Sequence, residues 1–302
     1  YRMSLPADSK TCKAALANSA WLRDTFRVED AFLRSCVNYY SAEVYRSAFD
    51  GGLVTDLNRW VSKKTDGMIS DLLEKEPGAQ TMLYLVNAAC FDAKWETPYT
   101  KENVRTDGIF TAASGKRQTA DYLDSHETIY LSGNNVSGFL KPYDGGKYAF
   151  VALVPDEGVT LADYLRNLTG EHLYQLITDH HYADVQASIP KFTARSELEL
   201  EEPLRAAGIS DLFDVSAADL RALGSAPSGN TLYVNSVLHK TYLELDENGT
   251  KAAAATSLDV NAGAAPPSED VKTVTLDRPF LYMVVDTHAC VPLFMGTVTS
   301  ME

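Results

Sequence analysis

Two adjacent imidazoles flanked by carboxylates are the side chains that hold a divalent metal, and the chain has one such set: His180 and His181 between Asp179 and Asp184. The set reads as a solvated turn rather than a metal centre. His126-Glu127 starts like a zinc-protease helix but lacks the second histidine. His239 stands alone within an apolar strand pattern and reads as a hydrogen-bonded core histidine. Ser/His/Asp triads are recognised by geometry rather than by residue order, and nothing in this order supports one. No G-x-S-x-G elbow, P-loop, G-x-G-x-x-G, C-x-x-C or H-E-x-x-H occurs. The expectation is a protein that is not an enzyme and uses neither metal nor cofactor. The four cysteines (Cys12, Cys36, Cys90 and Cys290) have no metal-ligand spacing, and Cys36 and Cys90 read as small core residues. Three N-x-S/T sequons begin at Asn135, Asn167 and Asn248.

The unusual stretch is Leu243 to Pro267, LELDENGTKAAAATSLDVNAGAAPP. It opens as a strand and breaks at Asn248-Gly249. A four-alanine run follows, with glycine before it and glycine and proline after it. Alanine favours helix, but these flanks oppose one. A loop of about 20 residues in a compact domain is uncommon and usually functional or disordered.

The elements around it alternate between the two periods. Ala14–Leu22 reads as a strand. Phe26–Tyr40 reads as a helix with Val28, Phe32, Cys36 and Tyr39/Tyr40 on one face. Glu43–Phe49 is a short strand. The helix after Gly51-Gly52 buries Leu53, Leu57, Trp60 and Val61 and closes on Lys63-Lys64. Thr81–Phe91 is an apolar run that predicts a central strand buried on both faces, with Asn87 a buried polar residue in need of a partner. Phe150–Val154 is apolar, and helices are expected over Leu161–Leu168, His172–Ile177 and Leu198–Ala207, the last ended by Gly208. Val185–Ile189 and a long Leu232–Asp246 read as strands. So do Val271–Leu276, Phe280–Val285 and Val291–Val298. The mixture lacks a β-α-β rhythm and reads as α+β.

The chain has 302 residues, a net charge of -14 and 45% apolar residues, the composition of a soluble globular protein. Acidity without a basic stripe excludes nucleic acid as a partner. No apolar run reaches the roughly 20 residues that span a bilayer, and no signal peptide is present. The chain starts at Tyr1 rather than Met, so an upstream segment is expected to be missing.

Several blocks, in order, resemble the serpin family. They are Val86–Tyr99 (VNAACFDAKWETPY, with Tyr99 where the family has Phe), Leu153–Gly158 (LVPDEG), and Ile189-Pro190-Lys191-Phe192 followed by Leu200 and Leu204–Phe213. Then come His239-Lys240 through Glu247, Gly249, Thr250, Ala252, Ala253, Ala254, Ala255 and Thr256, and last Asp277–Leu281 and Pro292–Gly296. The resemblance covers essentially the whole chain. It implies a single serpin domain over 1–302: a large central mixed or antiparallel sheet, surrounding helices, two further sheets and an exposed reactive-centre loop at about 247–270. Helices that begin the family's fold are absent, so the chain is expected to be N-terminally incomplete.

The resemblance also implies a role. The loop is bait for a serine protease, which is held as a covalent acyl complex when the cut loop inserts as a new strand of the central sheet. A non-inhibitory serpin that binds, carries or chaperones is the alternative. The implied hinge is Glu247, Gly249, Thr250 and Ala252 to Thr256. Every second residue of an inserting strand must enter the core. Here those are Thr250, Ala252, Ala254 and Thr256, all small and uncharged, with Lys251 on the opposite set. By family spacing the reactive bond joins Gly263 and Ala264, with Ala262, Asn261, Val260 and Leu258 as displaced alternates. No Arg or Lys lies between Ala252 and Asp270, which favours elastase- or subtilisin-like targets over trypsin-like ones. Asn87 and His239 match the shutter, and Trp95 the breach where insertion starts. A glycan at Asn248 would obstruct insertion, so either the source, as in a bacterium, does not glycosylate or the site is skipped. The resemblance implies an exported protein, extracellular or at the cell surface, and a monomer.

Overall fold

The computed structural model describes residues 12–227, 229, 231–234, 237–250 and 271–301. In chain order the elements are β1 (Cys12–Arg23), β2 (Arg27–Val28), α1 (Asp30–Tyr40), β3 (Glu43–Ser47), α2 (Gly51–Lys64), β4 (Leu83–Lys94), β5 (Val104–Thr111), β6 (Arg117–Gly133), β7 (Val136–Pro142) and β8 (Tyr148–Pro155). They continue with α3 (Leu161–Asn167), α4 (Gly170–Thr178), β9 (His181–Pro190), β10 (Phe192–Glu199), α5 (Glu201–Ala206), β11 (Gly224–Ser225), β12 (Leu238–Leu245), β13 (Gly249–Thr250), β14 (Val271–Thr275), β15 (Phe280–Asp286) and β16 (Val291–Val298). Two compact units result. One is built mainly from Ala14–Cys90 and Arg195–Tyr242, the other mainly from Phe91–Ala194 and Leu243–Glu302.

In the first unit, α2 forms where its sequence requires. The Asp50 carboxylate accepts the Gly52 N–H at 2.9 Å, and Lys63 and Lys64 meet the negative end of the helix. Leu53, Leu57, Trp60 and Val61 are buried against Trp21, Val86 and Ala88. Each such side chain contributes roughly 1.5–3 kcal/mol on burial. β1 pairs in parallel with β3, and Trp21 stacks on Tyr45 at 4.3 Å.

Five expectations are corrected here. The first helix starts at Asp30, not Phe26, because Arg27–Val28 pairs with Gly224–Ser225 as a small ladder. Its tyrosines are not buried: Tyr39 is 79% and Tyr40 62% exposed, while Cys36 is buried. The helical period sets an apolar stripe, but the neighbouring strand decides how much of it is covered. β4 is not buried on both faces. Val86, Ala88 and Cys90 point inward, and Leu85 and Asn87 are exposed, because the strand alternates and one set faces the α2 cluster. The long strand from Leu232 begins only at Leu238. Before it, the Val234 N–H donates to Leu212 and Leu200 donates to Val237, so this backbone bonds outside a ladder. The helix expected from Leu198 starts at Glu201, since Leu198 and Glu199 finish β10.

The second unit holds an eight-stranded sheet in the order β14-β9-β6-β7-β8-β15-β16, with β5 paired to β6. All residues of β8 are buried. One face, with Leu131, Leu140, Val151, Leu153, Leu281 and Met283, is covered by α3 and α4. Thr160 and Thr169 cap those helices through the N–H groups of Asp163 and His172. Aromatic rings crowd elsewhere: Phe150 stacks on Tyr282, and Phe192 meets the edges of Phe280 and Tyr282.

An acid-sensitive contact lies in the first unit. The Glu43 carboxylate accepts from Lys64 (2.7 Å), the Trp60 indole (2.6 Å) and the Tyr45 hydroxyl (2.8 Å). These bonds, Lys64 foremost, hold its pKa at about 2. A depressed carboxylate contributes stability that is present above its unfolded pKa, about 4.3, and lost as pH falls towards the folded value. Half exposure limits the size. The stability gap between wild type and Glu43→Gln, from urea midpoints, is expected to shrink between pH 5 and pH 2. A gap constant over that range would disprove the assignment.

Candidate functional site

The second unit builds its site from the turn that ends β12. Leu243 and Leu245 are buried and anchor the strand. The Asp246 carboxylate then accepts the N–H groups of Asn248 (2.7 Å) and Gly249 (3.2 Å) and closes the turn. Burial nevertheless raises the Asp246 pKa, outweighing those two bonds. The three carbonyls of the turn all accept from one segment. The Trp95 indole donates to Asp246 (3.0 Å), the Trp95 amide to Asn248 (3.0 Å) and the Tyr99 amide to Glu247 (3.0 Å). The Glu247 side chain pairs with Lys191 at 2.8 Å, which lowers its pKa.

Gly249 and Thr250 leave the turn as β13. They pair antiparallel with Lys94 and Ala93 of β4, while Thr250 also faces Leu245. Gly249 has φ +155°, and a Cβ there would lie 2.0 Å from the Ala93 carbonyl oxygen and 2.8 Å from the Lys94 Cα. No other residue type fits without moving a strand.

Thr250 is 1% exposed. Its hydroxyl shares a 2.6 Å hydrogen bond with the hydroxyl of Tyr143. Tyr143 lies flat on Trp95, with centroids 4.6 Å apart and planes 8° apart, and meets Phe91 edge-on at 4.9 Å. Beneath this stack is a buried ion pair: Lys141 Nζ to Glu127 at 2.7 Å, with side chains 4% and 7% exposed. Ser125 donates to the same carboxylate at 2.6 Å, and its hydroxyl lies 3.3 Å from that of Tyr99. The ammonium also sits over the rings of Tyr99 (4.5 Å) and Trp95 (5.5 Å).

Of the residues singled out from sequence, Glu247, Gly249, Thr250 and Trp95 come together here. Asn87 and His239 belong to the first unit. Asn87 is exposed rather than buried, and its amide donates to Asn18 at 2.7 Å, which in turn donates to the Tyr40 carbonyl at 2.8 Å. His239 is half-buried in β12 rather than a core residue. Ala252, Ala253, Ala254, Ala255 and Thr256, and the bond region Val260 to Ala264, lie outside the described residues. His180 bonds the Ile177 carbonyl, and His126 pairs with Asp184 at 2.8 Å. Among the described residues no cluster of three metal-ligating side chains is present, and no helix is long and apolar enough to cross a membrane. Sequence reading missed Tyr143, Lys141 and Asp246. Lys191 carried a signal within the I-P-K-F block. Glu127 was weighed only as part of a metal motif.

Comparison with known proteins identifies the class. The family model "Serpin (serine protease inhibitor)" matches residues 2–301. The chain belongs to the serpin family, and its α+β architecture is the serpin fold. It is 30% identical to glia-derived nexin of Mus musculus, over 94% of this chain and 72% of that protein. It is 31% identical to Serpin B9 of Homo sapiens, over 94% of this chain and 76% of that one. The crystal structure of tengpin, a thermophilic serpin, in its native state superposes with a TM-score of 0.91 at 40% identity, over 99% of this chain and 76% of that chain.

The ion pair beneath the stack yields a prediction. Lys141→Met leaves the Glu127 charge buried without its partner and is expected to cost about 3–5 kcal/mol. Lys141→Met with Glu127→Leu removes both charges and is expected to recover most of that. Equal losses in the single and double variants, by urea denaturation, would show that packing rather than charge pairing is at stake.

Proposed function

We propose that the chain is an inhibitory serpin that traps serine proteases having a small specificity pocket, of the elastase or subtilisin kind, outside the cell and as a monomer. The observation that carries this reading is the position of Thr250. It is the first of the alternate small residues, its side chain is 1% exposed, and its backbone is in strand register beside Ala93. Side chains alternate across a strand. Inward placement of Thr250 therefore predicts inward placement of Ala252, Ala254 and Thr256 when the loop adds as a strand, and all are small.

The chemistry belongs to the protease. Its serine oxygen attacks the carbonyl carbon of Gly263. The bond to the Ala264 nitrogen breaks, that amine leaves with the serine's proton, and an ester joins protease and inhibitor. Insertion then competes with water. Roughly 15 residues at ~3.3 Å each carry the ester about 50 Å from where it formed. The chain is consumed as a suicide substrate. Glu247, Gly249 and Thr250 form the described part of the hinge, with Ala252 to Thr256 as its continuation, and Trp95 is assigned to the breach. Asn87 and His239 are assigned to a shutter.

Incubation with pancreatic elastase or subtilisin is expected to give a complex stable to SDS, and mass spectrometry of the released peptide is expected to map the cut to Gly263–Ala264. Clean cleavage without a complex would sink the trapping reading and leave a non-inhibitory serpin. Thr250→Arg puts a charge into the core position and is expected to turn inhibitor into substrate. Loop cleavage is expected to raise Tm sharply, since a strand's pairing and burial are gained.

A further inference from the structure

We propose that Tyr143 is a positioning residue for loop insertion: its buried hydroxyl recognises the hydroxyl of Thr250 and holds the first inserting residue in the sheet before any protease arrives. The proposal rests on the trapping reading above and adds the residue that starts it.

Tyr143 has little freedom. It is 0% exposed, stacked on Trp95, edge-on to Phe91, and tied by its amide to the Tyr148 carbonyl at 2.9 Å. The next amide, Asp144, donates to the Lys94 carbonyl at 2.8 Å, and Lys94 pairs with Gly249. The phenol is therefore fixed relative to β4, the strand against which β13 pairs. Burial pushes its pKa far up, so it remains a hydroxyl able to donate.

The pair is selective in both directions. A buried hydroxyl without a partner is costly, whereas replacing both hydroxyls with apolar groups of similar shape is nearly neutral. If Thr250 swung out, both the Tyr143 hydroxyl and the pocket it leaves would need water. The seat thus opposes release of the hinge, and the two paired residues of β13 give insertion a formed start. The bond persists as the strand lengthens, so it favours insertion over hydrolysis.

The test is a double-mutant cycle on the full chain with Tyr143→Phe, Thr250→Val and the pair of them. Two readouts are used: hydrogen exchange of the peptide spanning Asp246–Thr250, and the stoichiometry of inhibition with elastase. Each single variant orphans one hydroxyl, and exchange is expected to rise roughly five- to a hundredfold. Stoichiometry is expected to rise with it. The double variant is expected to return both towards wild type, a rescue that loss of packing would not produce. Thr250→Ser retains the hydroxyl and is expected to stay close to wild type. Unchanged exchange in Tyr143→Phe and Thr250→Val, with the urea midpoint intact, overturns the seat even if trapping is found. Additive losses in the double variant overturn it too. Wild-type chain that never forms a complex, yet shows the exchange cycle, keeps the seat and rejects trapping.

Discussion

The flat stack of Trp95 on Tyr143 is the contact on which the turn after β12 and the strand β13 depend. Trp95 gives its indole and amide N–H groups to the carbonyls of Asp246 and Asn248, and the Tyr143 hydroxyl shares a hydrogen bond with that of Thr250. One aromatic pair therefore holds the turn from one side and Thr250 of β13 from the other. Offset or stacked rings add about 0.5–1.5 kcal/mol beyond their burial. That is modest, but rotation of the Trp95 ring would break its hydrogen bond to the Asp246 carbonyl and rotation of Tyr143 would break the one to the Thr250 hydroxyl, and buried groups are expensive to leave unpaired. The geometry is held by the cost of its alternatives more than by the strength of any single bond.

The same logic governs the charges near it. Lys141 and Glu127 are both buried, and burying two charges usually cancels most of their attraction. The pair is better understood as fixing position. It joins β7 to β6, places its ammonium over the rings of Tyr99 and Trp95, and gives the carboxylate both the ammonium and the Ser125 hydroxyl as partners. At the surface, Lys191–Glu247 is partly exposed, and water takes most of its energy. The interior pair specifies the platform; the outer pair trims the turn.

Much of the fold was legible because local rules agreed. The four buried residues of α2 and its basic end follow from spacing alone. The apolar run Phe150–Val154 falls within β8, every residue of which is buried. The run in β4 promised the same burial and lacks it, since composition cannot tell whether a second layer lies over Leu85 and Asn87. The alternation of small residues at 250, 252, 254 and 256 is legible in the order of residues. The partner of Thr250 is not. Tyr143 stands 107 positions from Thr250, inside a segment that reads as an ordinary turn, and no periodicity links the two. Tyr99, visible as a departure from the family's Phe, adds a hydroxyl that reaches Ser125.

The proposed hinge would need a seat that is neither absent nor too strong. Gly249 has room for no side chain, so the chain can pass Ala93 only as glycine, and that residue sets where the strand begins. Leu245, Ala93 and Tyr143 then surround Thr250. A larger apolar side chain there would clash with the phenol and leave it unpaired, while alanine would leave the phenol unpaired and a void. Threonine fills the space, offers a hydroxyl and favours the extended backbone of a strand. These three requirements, imposed by one ring held in one orientation, select the residue found at the root of the loop.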